Sequence, residues 1–460
     1  MARCPRSAFT TRTPLRSVQR SFHSKISNAH ANGRHPRAEV CAVNSPIEPT
    51  ILYEIGGRRW ARGTPGLAEA IAEAHARHLR PRCLCLPDNE GAEMYVARLM
   101  EGYTVKRMPN TGSQHATSCP SYEPPAEFSG LGQLVGTAIV ENPATGETAL
   151  KLDFPMTKLP GRSTLPAAAS ASSSVASQGP KLGLRALLHY LWDQAELTHW
   201  KPGFAGRRTW GTVRKHLLQA AENKFTHGHA LLASLYIPEV FSVEQREAIT
   251  TRRLRQWARA QPKPGQPQPL LLLVAEVKEI VPSRYGHKAI LKHIPDQAFA
   301  LDEPLYRRLG RCFEQELSAW GTDGDLHLLM IATFRVDDAA VPGLVELSLM
   351  LATAQWLPVE DGWEKQLVGA LVRSGRSFIK GLRYNEAPDQ PLVAASLLDC
   401  GDAPRPLLIT RDRGQSEHMP PDFMAQTIRG DTPLWQWNPA DGDMPGLPPQ
   451  QHRQLTTPLP

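Results

Sequence analysis

Cys83 and Cys85 stand two positions apart, and His115 and Cys119 stand four apart about thirty residues later. Three sulfurs and an imidazole form a complete ligand set for one tetrahedral ion, and thiolate with imidazole suits zinc. On a strand, positions i and i+2 face one side, so Cys83 and Cys85 can converge once the chain bends. Pro81 and Pro87 flank the pair and point to a bent edge strand. His115 and Cys119 have one-turn spacing, but Pro120 disfavours helix at Cys119, so a turn is expected. All four places are filled by protein, which marks a structural zinc site rather than a catalytic one. Cys4, Cys41, Cys312 and Cys400 are scattered, so the seven cysteines read as metal-site usage in a reducing compartment, not as a disulfide framework.

Two further constellations bear on chemistry. Arg207, Arg208, Arg214 and Lys215 lie among Trp192, Trp200 and Trp210, a mixture suited to phosphate backbones or, equally, to a solvated helix face over a tryptophan core. Glu276-Val277-Lys278 offers the Glu-x-Lys half of a metal-dependent nuclease site, in which acidic groups hold Mg²⁺ and lysine offsets developing charge. The aspartate such a site needs is not evident upstream. No Gly-rich phosphate loop and no assignable Ser/His/Asp or Cys/His nucleophile appears, so the residues favour a non-enzyme.

The elements that must position these groups suggest an α+β, multidomain chain. Of the 52 Lys and Arg, eight fall in residues 1–46 with the single acid Glu39, leaving 44 basic and 44 acidic residues in the body. Segment 1–46 reads as a disordered basic tail or an upstream start. Segment 47–160 reads as a β-rich zinc module with a helix near Gly66–His78 and a hairpin at Asn142–Gly146. Segment 161–180 is a Ser/Ala linker. Segment 181–260 carries 13 Lys/Arg against 6 Asp/Glu and reads as a basic helical module. Its apolar stripe at Leu184, Leu187, Leu188 and Leu191 predicts one helix, a second starts near Thr209, and Ser242–Gln245 reads as a capping box for a third. An α/β module at 270–358 has strands either side of a Ser283–Gly286 turn, then a helix from Asp302 to Trp320. Segment 359–440 orders as helix, three strands, helix (Asp422–Ile428) and strand, and 441–460 reads as a tail. No apolar run approaches the roughly 20 residues of a membrane span; the basic block points to DNA as the partner, with no small-molecule cofactor.

The order in 359–440 is similar to the core of PD-(D/E)xK nucleases, with Glu364 on the helix and Arg376, Phe378, Lys380, Arg383 and Tyr384 following. The next strand opens Pro391-Leu392-Val393 without the aspartate, and the third, Leu407–Thr410, lacks Glu-x-Lys; Asp399 alone does not assemble a site, so the segment reads as a degenerate core. Over about residues 47–410 the chain resembles domain of unknown function family 1173. The resemblance is carried by RCLCLPD (82–88), MYVARL (94–99), KRMPNTGSQHATSCPSYEPP (106–125), LHYLWDQAELTHW (188–200), RTWGTVRKHLLQAAE (208–222), EVKEIVPSRYGHK (276–288), TAQWLPVE (353–360) and RSFIKGLRYN (376–385). It implies a bacterial, cytoplasmic protein of integrative or conjugative mobile elements and argues against reading the basic tail as an organelle transit peptide, but supplies no activity or catalytic residue. The expected function is a zinc-stabilised, non-catalytic, nucleic-acid-associated accessory protein. The alternatives are a metal-dependent nuclease using Glu276 and Lys278, and a protein-binding scaffold.

Overall fold

The computed structural model describes residues 52–86, 91–99, 102–158, 180–284, 286–387, 392–401, 403–410 and 434–451. The basic tail at 1–46, most of the Ser/Ala linker and the expected helix at Asp422–Ile428 lie outside them.

The described chain is mixed α+β. It opens with β1 (Leu52–Ile55), β2 (Arg58–Ala61), α1 (Leu67–Ala76), β3 (Arg82–Cys83), β4 (Ala92–Leu99) and β5 (Gly102–Arg107), a sheet in the order β2-β1-β3-β4-β5. Helix α1 sets Leu67 and Ala74 against Ile55 and Val96. The expected edge position for Cys83 is not observed: β3 is central, pairing Cys83 with Tyr53 on one side and Ala92 on the other. A two-residue strand flanked by proline can be inserted there because it needs few ladder donors of its own.

β6 (Ile139–Asn142) and β7 (Glu147–Leu150) form the expected hairpin, with Gly146 at φ 75° in its turn. After β8 (Thr157–Lys158) come α2 (Leu184–Gln194), β9 (His199–Trp200), α3 (Trp210–Ala221), β10 (Lys224–Thr226), β11 (His229–Ala230), α4 (Leu231–Ser234), β12 (Leu235–Tyr236), α5 (Arg246–Trp257) and β13 (Gln268–Pro269). The Thr209 side chain caps α3 by accepting from the Thr212 amide. The expected capping box does not form: α5 begins at Arg246, and the Ser242 hydroxyl donates instead to Glu244. Short polar side chains bond locally wherever the backbone has not yet turned helical.

Next come β14 (Leu271–Ser283), β15 (Gly286–Leu291), β16 (Ile294–Leu301), α6 (Glu303–Cys312), α7 (Glu314–Thr322), β17 (His327–Val336), β18 (Pro342–Ala352) and β19 (Pro358–Val359). Instead of one helix over Asp302–Trp320 there are two, broken at Phe313; Asp302 caps the first through the Leu305 amide. Five of these strands close on themselves in the order β14-β15-β16-β18-β17 and back to β14. β16 and β18 run parallel and join thinly, at Ala300 and Gly343, while every other junction is antiparallel. Leu271, Leu273, Ala275 and Val277 share one core with Leu328, Met330, Ala332 and Phe334, while Leu272 and Val274 join a second core with Leu329, Ile331 and residues of α2 and α3. Burial on both faces explains why LLLLVA and LHLLMIA read as unbroken apolar runs.

The chain ends with α8 (Gly362–Arg373), β20 (Phe378–Lys380), β21 (Val393–Leu397), β22 (Arg405–Ile409) and β23 (Trp435–Trp437), in a sheet ordered β23-β22-β21-β20-β9. Residues of the segment read as a tail lie against this sheet: Arg376 donates to the Pro448 carbonyl at 2.6 Å and the Gln451 amide to the Asp399 carbonyl at 2.8 Å.

Candidate metal centre

Cys83 ends β3, and Cys85 lies just beyond it where the chain leaves the ladder. Gly91, at φ 88°, allows the returning chain to pass close: a Cβ there would sit 3.2 Å from the Cys83 carbonyl oxygen. On the other side a single 3-10 turn, Gly112–Gln114, delivers His115 in extended conformation. The Cys119 amide then donates to the Ala116 carbonyl at 2.8 Å, closing the turn expected ahead of Pro120.

These two segments bring all four ligand atoms together. Cys83 Sγ is 3.7 Å from Cys119 Sγ, Cys85 Sγ is 3.5 Å from His115 Nδ1, and Cys119 Sγ is 3.8 Å from the same nitrogen. All four atoms lie within 4.8 Å of one another. A zinc tetrahedron with bonds of about 2.3 Å to sulfur and about 2.05 Å to nitrogen has edges of about 3.8 Å (S···S) and about 3.6 Å (S···N). The observed spacings match those edges, and the nearest sulfurs are too far apart for a disulfide. The Ala116 and Ser121 amides donate to Cys85 and Cys119 Sγ at 3.3 and 3.4 Å, stabilising negative charge on sulfur.

The site is the heart of a small core made by Cys83, Met94, Ala116 and Cys119. Cys83 is 1% and His115 4% exposed. His115 Nε2 is buried without a hydrogen-bond partner, so all polar contact of the ring is made by Nδ1. Hydrogen bonding to Cys119 and then Cys85 holds the Cys83 thiol far above the usual thiol range, whereas hydrogen bonding from Cys119 and Cys83 holds Cys85 far below it. Crowded sulfurs that cannot ionise together are the arrangement a divalent cation relieves. The donor chemistry and spacing fit zinc held by Cys83, Cys85, His115 and Cys119, with no position left for substrate.

The basic residues have divided roles. Arg208 donates to the Leu197 carbonyl at 2.8 Å and to that of His199, and lies over the Trp200 and Phe204 rings; Arg214 donates to the Ile237 carbonyl at 3.0 Å. Both thus tie backbone together, whereas Arg207 and Lys215 are exposed. Glu276 and Lys278 do not share a site. Glu276 is buried and its Oε1 is 2.5 Å from both Lys292 Nζ and His327 Nδ1, while a bulge after Val277 leaves Lys278 exposed. In the C-terminal sheet Lys380 pairs with Glu364 at 3.0 Å, and Asp399 is held by Arg376 at 2.6 Å.

One polar centre escaped the sequence. A cleft of about 650 Å³ opens between the metal-binding loop, β5, β6 and α2, lined by Arg107, Glu123, Glu141, Asp193 and His199 among others. Arg107 pairs with Glu123, so it is not available to offset a charged metal cluster. Burial pushes the Glu123 carboxyl up to about 7 despite that partner, and pushes His199 down to about 3. These residues come from segments far apart in the chain and share no motif spacing, so no local pattern marks them.

A family model described as "Protein of unknown function (DUF1173)" matches residues 53–440. The chain belongs to that family. The match spans the metal ligands, the barrel and the C-terminal sheet, so the DUF1173 region embraces nearly every described residue. No curated protein and no solved structure matches the chain.

Proposed function

We propose that this DUF1173 protein is a zinc-stapled, non-catalytic, nucleic-acid-associated protein, working in the bacterial cytoplasm as an accessory of a mobile element. The setting is taken from the family resemblance alone. The observation that carries the nucleic-acid reading is α5 and the turn after it: Arg246 and Arg255 are exposed on the helix and Arg259 just beyond it, while exposed Arg252 is already paired with Glu239 at 2.7 Å and the first turn holds the acid Glu247. Exposed Arg207 and Lys215 add to the charge. A surface of this kind neutralises phosphates and releases counter-ions.

All four places on the candidate metal are filled by side chains of this chain, which supports a structural rather than a catalytic role for that ion. The nuclease alternative gains nothing from Glu276, whose carboxylate is engaged by Lys292 and His327. The described order of α8, β20, β21 and β22, with these strands antiparallel and β23 parallel to β22, is compatible with a degenerate nuclease core.

Two measurements test the reading. Purified protein is expected to carry one equivalent of zinc, lost in Cys83→Ser. Fluorescence anisotropy with labelled DNA is expected to show affinity falling steeply with salt, and weaker binding in an Arg207→Ala/Lys215→Ala/Arg255→Ala variant. DNA binding that is undetectable at low salt, or unchanged in the variant, overturns it.

A further inference from the structure

The five closed strands carry a topology that sharpens the ligand. Numbered in chain order from β14, they follow 1-2-3-5-4-1; the third and fifth are parallel, and the helices α6 and α7 fall between the third and fourth. That is the order of the OB-fold, a partly open Greek-key barrel whose second and third strands, with the loops after the first and fourth, form its ligand face. Here the corresponding strands are β15 and β16, and the loop after the fourth strand is 337–341.

A shared fold does not by itself confer a shared ligand, so the face must carry its own chemistry. The outer wall of β14 and β17 is covered by α2 and α3 through Leu272, Val274, Leu329 and Ile331. On β15 and β16, Ala289, Leu291, Phe299 and Leu301 turn into the barrel. The alternate positions Lys288, Ile290, Ala298 and Ala300 remain at least partly exposed. Small side chains make a shallow apolar floor. Exposed Lys278 and Lys292 stand beside it, and Lys278 and Lys288 make no ion pair among the described residues. Glu279 of β14 and Asp296 of β16 are the acids on the same wall, and Asp296 is neutralised by Arg253. Arg253 of α5 clamps Asp296 of β16 through two bonds, at 2.9 and 2.7 Å, so the arginine-bearing helix is docked against this wall.

We propose that the outer face of β15 and β16, bordered by Lys278 and Lys288 and continued by Arg246 and Arg255 of α5, binds single-stranded nucleic acid. The cations track phosphates, and the short apolar side chains of Ile290, Ala298 and Ala300 leave room beside them for bases that a duplex would keep paired. The inference rests on the nucleic-acid reading above and specifies its strand state and its place.

The test uses the full-length, zinc-loaded protein with labelled oligo(dT) and a labelled duplex of equal length. Oligo(dT) is expected to bind about tenfold tighter or more. Lys278→Ala/Lys288→Ala should weaken oligo(dT) binding by about tenfold and reduce the salt slope by about 1.4, from about 0.7 per single-strand phosphate contact. An unchanged melting temperature checks that this surface variant is folded. If the double variant binds oligo(dT) like the parent while Arg207→Ala/Lys215→Ala/Arg255→Ala weakens both DNAs alike, the barrel face is refuted and the broader reading stands. Tighter binding to duplex also refutes it. If the parent binds neither DNA, both fall together.

Discussion

Lys224 offers a quantitative test of the interior between α2 and the β6–β7 hairpin, which β10 extends by pairing with β7. It lies on β10 with 2% of its surface exposed, and its ammonium reaches only neutral acceptors, Thr148 Oγ1 at 3.3 Å and Gln194 Oε1 at 3.4 Å. Burial, reinforced by Lys106, lowers its pKa from 10.5 to about 7. That difference corresponds to roughly 5 kcal/mol between the charged and neutral forms. The folded pKa is the lower one, so between about pH 7 and 10.5 the unfolded chain holds more protons. Stability therefore rises with pH across that window, and the penalty is present in full below it. Lys224→Met keeps the volume and removes the charge. Allowing about 1 kcal/mol for each lost hydrogen bond, the variant should be more stable than the parent by roughly 3 kcal/mol near pH 7. The gap should shrink by up to about 1.4 kcal/mol per pH unit toward pH 10. Urea unfolding of both proteins at fixed zinc and several pH values reads the difference directly, and zinc-linked titration common to both cancels. Parallel stability curves for parent and variant between pH 6.5 and 9.5 would refute the argument, because they would mean that burial does not suppress this charge.

Two further outcomes are expected. Gly130 passes so close to the 383 carbonyl that a Cβ would sit 1.9 Å from its oxygen; Gly130→Ala should therefore lower stability by at least about 1–3 kcal/mol, read as a fall in melting temperature, and a neutral result would show that the strap is not held there. The Glu364–Lys380 pair is buried on both sides, so Glu364→Gln should cost about 3–5 kcal/mol by stranding the ammonium, whereas Glu364→Leu/Lys380→Met should recover most of it; equal losses in the two variants would contradict this.

The metal ligands were legible in the sequence because coordination chemistry demands particular atoms, and Cys83, Cys85, His115 and Cys119 are the types that supply them. Strands and helices with a strong period were equally plain: the stripe from Leu184 to Leu191 became α2, and the run from Leu271 became β14. What stayed hidden depends on pairing at a distance. Nothing local tells Cys83 that both neighbours of its strand will be present, so an edge looked as good as a centre. β16 does not stand out as a strand in the sequence because IPDQAFAL buries only Ile294, Phe299 and Leu301, with no strict alternation to set it apart from a loop. Barrel closure was invisible for the same reason: it hangs on the Ala300–Gly343 junction, between two small residues 43 positions apart in sequence. Function-bearing charge was only half legible. Arg207 and Arg208 are adjacent and identical in type, yet one is exposed and the other is consumed by the carbonyls of Leu197 and His199.

The metal has a reach beyond its own small sheet. The loop that supplies His115 and Cys119 continues to Glu123, which pairs with Arg107 of β5, and then to a strap whose Gly130 amide donates to the Leu382 carbonyl at 3.1 Å. That strap presses on the residues just after β20, the strand that carries Lys380. One continuous stretch, 109–132, is thus fixed at its start by sulfur and imidazole and at its end by backbone contact with the C-terminal sheet. Between those anchors it contributes only one 3-10 turn at Ala126–Phe128 and no strand, so little regular hydrogen bonding holds it. A segment of this length would lose much conformational entropy on ordering, and four ligands on one ion offset that cost at a single point. An ion held by these four ligands would therefore support the wall of the cleft and the seat of the C-terminal sheet as much as the strand on which Cys83 lies.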